Sequence, residues 1–258
     1  MTRLLLKLRV TSSSSFDKEY HRDIQGFIYV LLRGSEYNVH DKRGYKFFSF
    51  SEIFPYGDLH KGDLRNLIIA SPNAGFISYI KDQLDYLRDV RLGAMMFRVE
   101  SCSRIEPRLP SDRPVSLITG SPITMRIPKS RFVEAGAADL INGYGSSYWR
   151  ADRNHPLELF FNQLESNLRK KYDSYHGRES DMMSHYEPVF NSSRFLKQVA
   201  IEVPVTEKYR QTVIGTKWLF KFAGGNDLVR FAVDCGLGEL NQLGFGFMNV
   251  QQQREVYN

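Results

Sequence analysis

Gly236-Leu-Gly238-Glu-Leu-Asn-Gln-Leu-Gly244-Phe-Gly246-Phe-Met-Asn-Val250 sets four glycines within eleven residues and runs straight into an apolar segment. Glycine reaches positive φ without a Cβ penalty, so such a cluster marks backbone that turns tightly or is approached closely. The spacing excludes the familiar nucleotide loops. A dinucleotide fingerprint needs a third glycine three residues beyond Gly238, where Asn241 stands, and it follows a strand and opens a helix. Here the order is reversed: Asn226-Asp-Leu-Val-Arg-Phe-Ala-Val-Asp-Cys235 reads as a helix capped by Asn226 or Asp227, with Gly236 as its stop. No Lys-Ser/Thr pair follows the glycines, which excludes a Walker loop. The expected order is helix, glycine-rich loop, then a closing strand over Phe245 to Val250.

Upstream, Phe195 to Val203 and Thr212 to Phe222 read as strands around the polar turn Glu207-Lys-Tyr-Arg210. A helix before them carries Leu157, Phe160, Phe161, Leu164 and Leu168 and runs to the basic triplet Arg169-Lys170-Lys171 and Tyr172, where the cations suit the helix dipole. Val115 to Ile127 reads as a first strand with an irregularity at Gly120-Ser-Pro122, and residues 131–155 show no assignable period. Pro107, Pro110 and Pro114 mark the linker candidate, dividing the chain into residues 1–108, a linker at 109–114 and residues 115–258.

The first segment repeats the element order. Leu4, Leu6, Leu8 and Val10 alternate with Leu5, Lys7 and Arg9, the period of a strand with one buried face. Ile24, Phe27, Ile28 and Leu31 follow at helical spacing, Tyr45 to Phe50 and Asp63 to Ala70 read as two strands, and Phe76, Ile80, Leu84 and Leu87 form a second helix starting near Ser71 or Asn73. Arg91 to Ile105 reads as one further strand. Strand, helix, two strands, helix, strand is the ferredoxin-like split βαβ order, and it occurs twice.

On the glycine pairs ending in Gly244-Phe-Gly246, the chain resembles the CRISPR repeat-processing endoribonucleases of the RAMP superfamily, the Cas6 type. The resemblance implies an α+β fold of two tandem ferredoxin-like (βαββαβ) domains and CRISPR repeat RNA, precursor and mature guide, as partner. Effector-complex subunits and a second copy of the chain are further candidates. It also selects residues. Catalytic relatives carry a tyrosine on the first helix, a histidine just beyond it and a lysine near the next strand; Ile24-Gln-Gly-Phe-Ile-Tyr29 and His40-Asp-Lys-Arg-Gly-Tyr-Lys46 match, giving Tyr29, His40 and Lys46. The implied activity is metal-independent cleavage within repeats, the 2′-OH attacking phosphorus to leave a 2′,3′-cyclic phosphate and a 5′-OH. A binding-only RAMP scaffold is the alternative. No cofactor and no metal are expected, since no matching motif is present.

Residue chemistry stands beside that resemblance. Tyr29 lies about 140° round the helix from Ile24, off the apolar stripe and aligned with Arg22 and Arg33. Histidine exchanges protons near neutrality, with a reference pKa of about 6.5, and six compete: His21, His40, His60, His155, His176 and His185. Lysine, near 10.4, suits stabilising phosphorane charge. Gly236, Gly238, Gly244 and Gly246 would let phosphate oxygens reach backbone N–H groups, with Arg194, Lys197, Lys208 and Arg210 as basic neighbours. Phe245 and Phe247 read as core more readily than as base-stacking rings.

Composition bounds the rest. The 258 residues, 42% hydrophobic and 25% charged, suit one or two globular domains, and the net charge of +6 suits a polyanion partner. No run of eighteen apolar residues and no cleavable leader is found, so no membrane association and a cytoplasmic location are expected. Cys102 and Cys235 form no CxxC or Cys/His cluster and read as buried thiols.

Overall fold

The computed structural model describes residues 2–38, 44–110, 114–141, 146–177, 189–206 and 209–251. Strand β1 (Thr2–Ser12) buries Leu4, Leu6, Leu8 and Val10 to 1% exposure or less, as the alternation requires. It lies between β3 (Leu64–Ser71) and β5 (Met95–Ile105), antiparallel to both, with Leu6 opposite Leu67 and Leu8 opposite Val99. β2 (Ser49–Phe50) and β4 (Asp89–Leu92) complete a sheet of order β2-β3-β1-β5-β4. Helices α1 (His21–Leu31) and α2 (Ala74–Leu84) supply Ile24, Ile28, Ile77 and Ile80 to its core. The side chain of Asn73 accepts from the Phe76 N–H at 3.1 Å and caps α2, as its residue type predicts.

Two expectations for this half change. Arg91 to Ile105 is a hairpin, because Leu92 faces Met95 across Gly93-Ala94 and Gly93 has φ 58°. A two-residue hairpin turn needs such left-handed backbone. Buried parity shifts there from Val90 and Leu92 to Met95, Phe97 and Val99, which is a readable signal. Tyr45 to Phe50 pairs only at Ser49–Phe50; Phe47 takes φ 46° and its ring leaves the first core to meet Tyr175 at 5.2 Å in the second, while Phe48 stays in the first. Tertiary packing overrides the strand pattern.

In the second half, β6 (Val115–Thr119), β9 (Val189–Pro204), β10 (Arg210–Ala223) and β11 (Met248–Val250) form an antiparallel sheet of order β11-β6-β10-β9. Without the extra edge strand β4, both sheets have the ferredoxin-like order, so the fold is two βαββαβ units. α4 (Leu157–His176) and α5 (Asn226–Cys235) are the unit's two helices. α4 runs past Tyr172 and stops at Gly177, φ 63°. The N-cap of α5 is Gly225, so Asn226 and Asp227 sit inside the first turn and cap nothing through their side chains. The expected strand 115–127 breaks after Thr119; β7 (Arg126–Pro128), α3 (Lys129–Glu134) and β8 (Ser146–Tyr148) make a small ribbon and helix in and around the stretch without a period.

The units are joined through β1's second face, polar by sequence. Arg3 is only 2% exposed: it donates to the Val233 and Met248 carbonyls at 2.8 Å each and to Asp234 at 3.4 Å, and lies 4.6 Å over the Phe247 ring. Among the described residues, no helix is long and apolar enough to cross a membrane.

Candidate nucleic-acid interface

The glycine loop leaves α5 at Gly236 and is buried at all four glycines. At Gly246, φ 69°, a Cβ would overlap the carbonyl oxygen of Leu237, and at Gly244, φ 79°, it would run into the Phe50 ring. The closest approach to these glycines is made by the protein itself. Phe245 and Phe247 are likewise fully buried.

A polar latch holds the loop. Asn241 Nδ2 donates to the carbonyls of Leu237 at 2.9 Å and Phe245 at 3.0 Å, while its Oδ1 accepts from Lys171 Nζ at 2.8 Å. Lys171 also donates to Gly236 O at 2.6 Å and Gly238 O at 3.1 Å. Its burial is complete enough to push the ammonium pKa down. The dipole role expected for the basic triplet is therefore not the role of Lys171, which stands inside the fold. The signal was present: Phe160, Leu164, Leu168 and Lys171 continue one helical stripe.

Loop segment Gly238–Gln242 and segment Gly44–Phe48 of the first unit line a cleft of about 340 Å³, near the small end of ligand sites. Lys46 lines it. From the second unit comes Arg126, whose Nε donates to Glu239 Oε2 at 2.6 Å. Among the described residues, Lys46 and Arg126 face a single carboxylate, Glu239, so the lining is positive even without the buried Lys171. A larger cleft, about 610 Å³, also lies between the units and includes Lys197. There Lys18, Lys197 and Lys217 are balanced by Glu19, Glu52 and Glu202, and Lys217 is ion-paired to Glu52 at 2.8 Å. Size favours the second cleft; charge, which decides polyanion binding, favours the first.

The remaining candidates are distributed around these clefts. Tyr29 is half-buried with its ring edge-on to Phe48, centroids 6.3 Å apart, and its hydroxyl accepts from Gln25 Nε2 at 3.3 Å. Phe48 itself lines the Lys46 cleft. Burial pushes the Tyr29 pKa up, against a smaller lowering by the Gln25 bond. Arg194 is exposed on β9 and lines neither cleft; Gly236, Gly244 and Gly246 also line neither. Arg210 is ion-paired with Glu19 at 2.9 Å. Arg22 donates to the carbonyls of Pro204 and Val205, so it ties α1 to the second unit.

His40, Lys208 and His185 lie outside the described residues. His21 is buried, its Nδ1 2.9 Å from the Leu243 carbonyl, and burial pushes its pKa down. His155 is buried with Nδ1 accepting from the Arg150 N–H at 3.1 Å. His60 and His176 are exposed, and none of these four lines the Lys46 cleft. Cys235 is buried and Cys102 partly so. Among the described residues, no group of three or more His, Cys, Asp or Glu side chains could hold a metal ion.

The family model for the C-terminal part of the CRISPR associated protein Cas6 matches residues 105–250. The chain is similar to CRISPR-associated endoribonuclease Cas6 2 of Methanocaldococcus jannaschii, 34% identical over 96% of this chain and 98% of that protein. It is 28% identical to CRISPR-associated endoribonuclease Cas6 of Haloferax mediterranei, over 97% of this chain and 94% of the relative. Among solved structures, the product of a Cas6-related gene from Pyrococcus furiosus aligns with a TM-score of 0.73 at 18% identity, covering 98% and 99% of the two chains. At that identity the likeness concerns the fold, and it agrees with the paired ferredoxin-like units.

Proposed function

The chain belongs to the Cas6 family, and from that premise we propose that it is an endoribonuclease cutting CRISPR precursor RNA within the repeats. The observation that carries the reading is Lys46 in a positively lined cleft between the two units, one side of which is the glycine loop. RNA contains its own nucleophile. The 2′-OH loses its proton and attacks the adjacent phosphorus, the bond to the 5′-oxygen breaks, and that oxygen takes a proton; a 2′,3′-cyclic phosphate and a 5′-OH result. The Lys46 ammonium stabilises the phosphorane. Tyr29 and His40 exchange the two protons. Burial raises the Tyr29 pKa, which favours the protonated phenol and donation to the leaving oxygen; His40 would then be the base. Gly236, Gly238, Gly244, Gly246, Arg194 and Lys197 are proposed to act in holding RNA, the glycines by shaping the loop. Units 1–108 and 115–258 then supply the proton-transfer groups and the loop respectively.

The test is incubation of labelled repeat RNA with the protein in EDTA, followed by end-group analysis. Cyclic phosphate and 5′-OH ends are expected, and a single 2′-deoxy substitution 5′ of the cut should abolish cleavage with little effect on affinity. Products with 3′-OH and 5′-phosphate ends, or cutting of the deoxy RNA, overturn the mechanism. Tight binding without cutting identifies the RAMP scaffold alternative.

A further inference from the structure

We propose that Arg126 is an RNA-phosphate contact in the Lys46 cleft, held in position by Glu239 of the glycine loop; this rests on the reading of that cleft as the RNA site. Glu239 grips Arg126 twice. Its Oε2 accepts from Nε at 2.6 Å and its Oε1 accepts from the Arg126 backbone N–H at 3.4 Å. The Glu239 backbone N–H in turn donates to the Thr124 carbonyl at 2.9 Å, two residues before Arg126, so the loop is docked directly on the start of β7.

The asymmetry of the pair points outward. The Glu239 side chain is sunk, 18% exposed, whereas the Arg126 side chain is 51% exposed. Here the contact uses Nε, and the two Nη groups make no hydrogen bond among the described residues. Those two nitrogens carry a planar pair of donors, the arrangement that takes two oxygens of one phosphate. Fixing the residue at its Nε and its backbone lowers the rotamer entropy that phosphate binding would otherwise cost. The glycine loop thus acts on RNA through the side chain it mounts, consistent with the space at Gly246 and Gly244 being taken by Leu237 and Phe50.

The experiment measures binding of labelled repeat RNA, and of an unrelated RNA of equal length, across a salt series. A phosphate contact carries no sequence information and releases counterions, so Arg126→Gln should weaken both RNAs alike and flatten the slope of log K against log salt by about 0.7. Arg126→Lys should keep the slope and lose affinity, since a lysine supplies the charge without the fork. An Arg126→Gln slope equal to wild type overturns the proposal. Should that variant melt early, Arg126→Lys decides: wild-type affinity there overturns it. Wild-type protein that binds neither RNA overturns the site reading as well, whereas normal wild-type binding with an unchanged variant slope removes Arg126 alone.

Discussion

Lys171 Nζ lies 2.6 Å from the carbonyl oxygen of Gly236, and through Gly238 and Asn241 the same ammonium ties α4 to the loop that follows α5. Replacing it by methionine keeps the stem and leaves three buried acceptors without their donor. Each unsatisfied acceptor costs about 1–3 kcal/mol, so Lys171→Met should lower the urea midpoint markedly. A wild-type midpoint would show that the loop closes without the Lys171 ammonium.

Asp234 gives a pH signature. Burial pushes its pKa up to about 6, and the Arg3 guanidinium offsets only part of that. The native state therefore binds this proton more tightly than the unfolded chain, and stability falls as pH rises from the ordinary carboxylate range to about 6. The slope is at most about 1.4 kcal/mol per pH unit. Asp234→Asn removes the titration, so its unfolding free energy should vary less than wild type across this window. Parallel pH profiles for the two proteins would refute the assignment.

Two glycines should respond oppositely to alanine. Gly26 lies in α1 with nothing within 4 Å of the place a Cβ would take, so Gly26→Ala should stabilise by about 0.5–1 kcal/mol. Gly246→Ala meets the Leu237 carbonyl at φ 69° and should cost on the order of 3 kcal/mol or more. Thermal unfolding of the pair checks both signs.

Tyr29→Phe retains the ring against Phe48 and removes only the hydroxyl. Single-turnover cleavage should fall by about 10²- to 10⁴-fold while the melting temperature drops by no more than a few degrees, the loss of the Gln25 hydrogen bond, and His40→Ala should match that loss of rate while repeat-RNA affinity stays intact. Full activity in either variant removes that residue from proton transfer.

The element order was legible because periodicity is local: Leu4 to Val10 for β1, Ile24 and Ile28 for α1, and Asn73 as a cap all depend on near neighbours in the chain. The hairpin at Gly93 was also written locally, as a shift in buried parity. Phe47 was not. Its ring crosses to Tyr175, and no rule about neighbouring residues anticipates a contact made between two cores.

Residue order along the chain specifies two βαββαβ units, a glycine loop unsuited to nucleotide phosphates and a basic balance of charge. Three further features exist only once the chain has folded: Arg3 is interior, Gly246 and Gly244 face Leu237 and Phe50, and Glu239 holds Arg126 in the cleft that Lys46 lines. Hydrophobic period reports which face of an element is covered, but not which distant residue covers it. A charged side chain reads as solvent-facing until its partners, many residues away, are brought within hydrogen-bond distance.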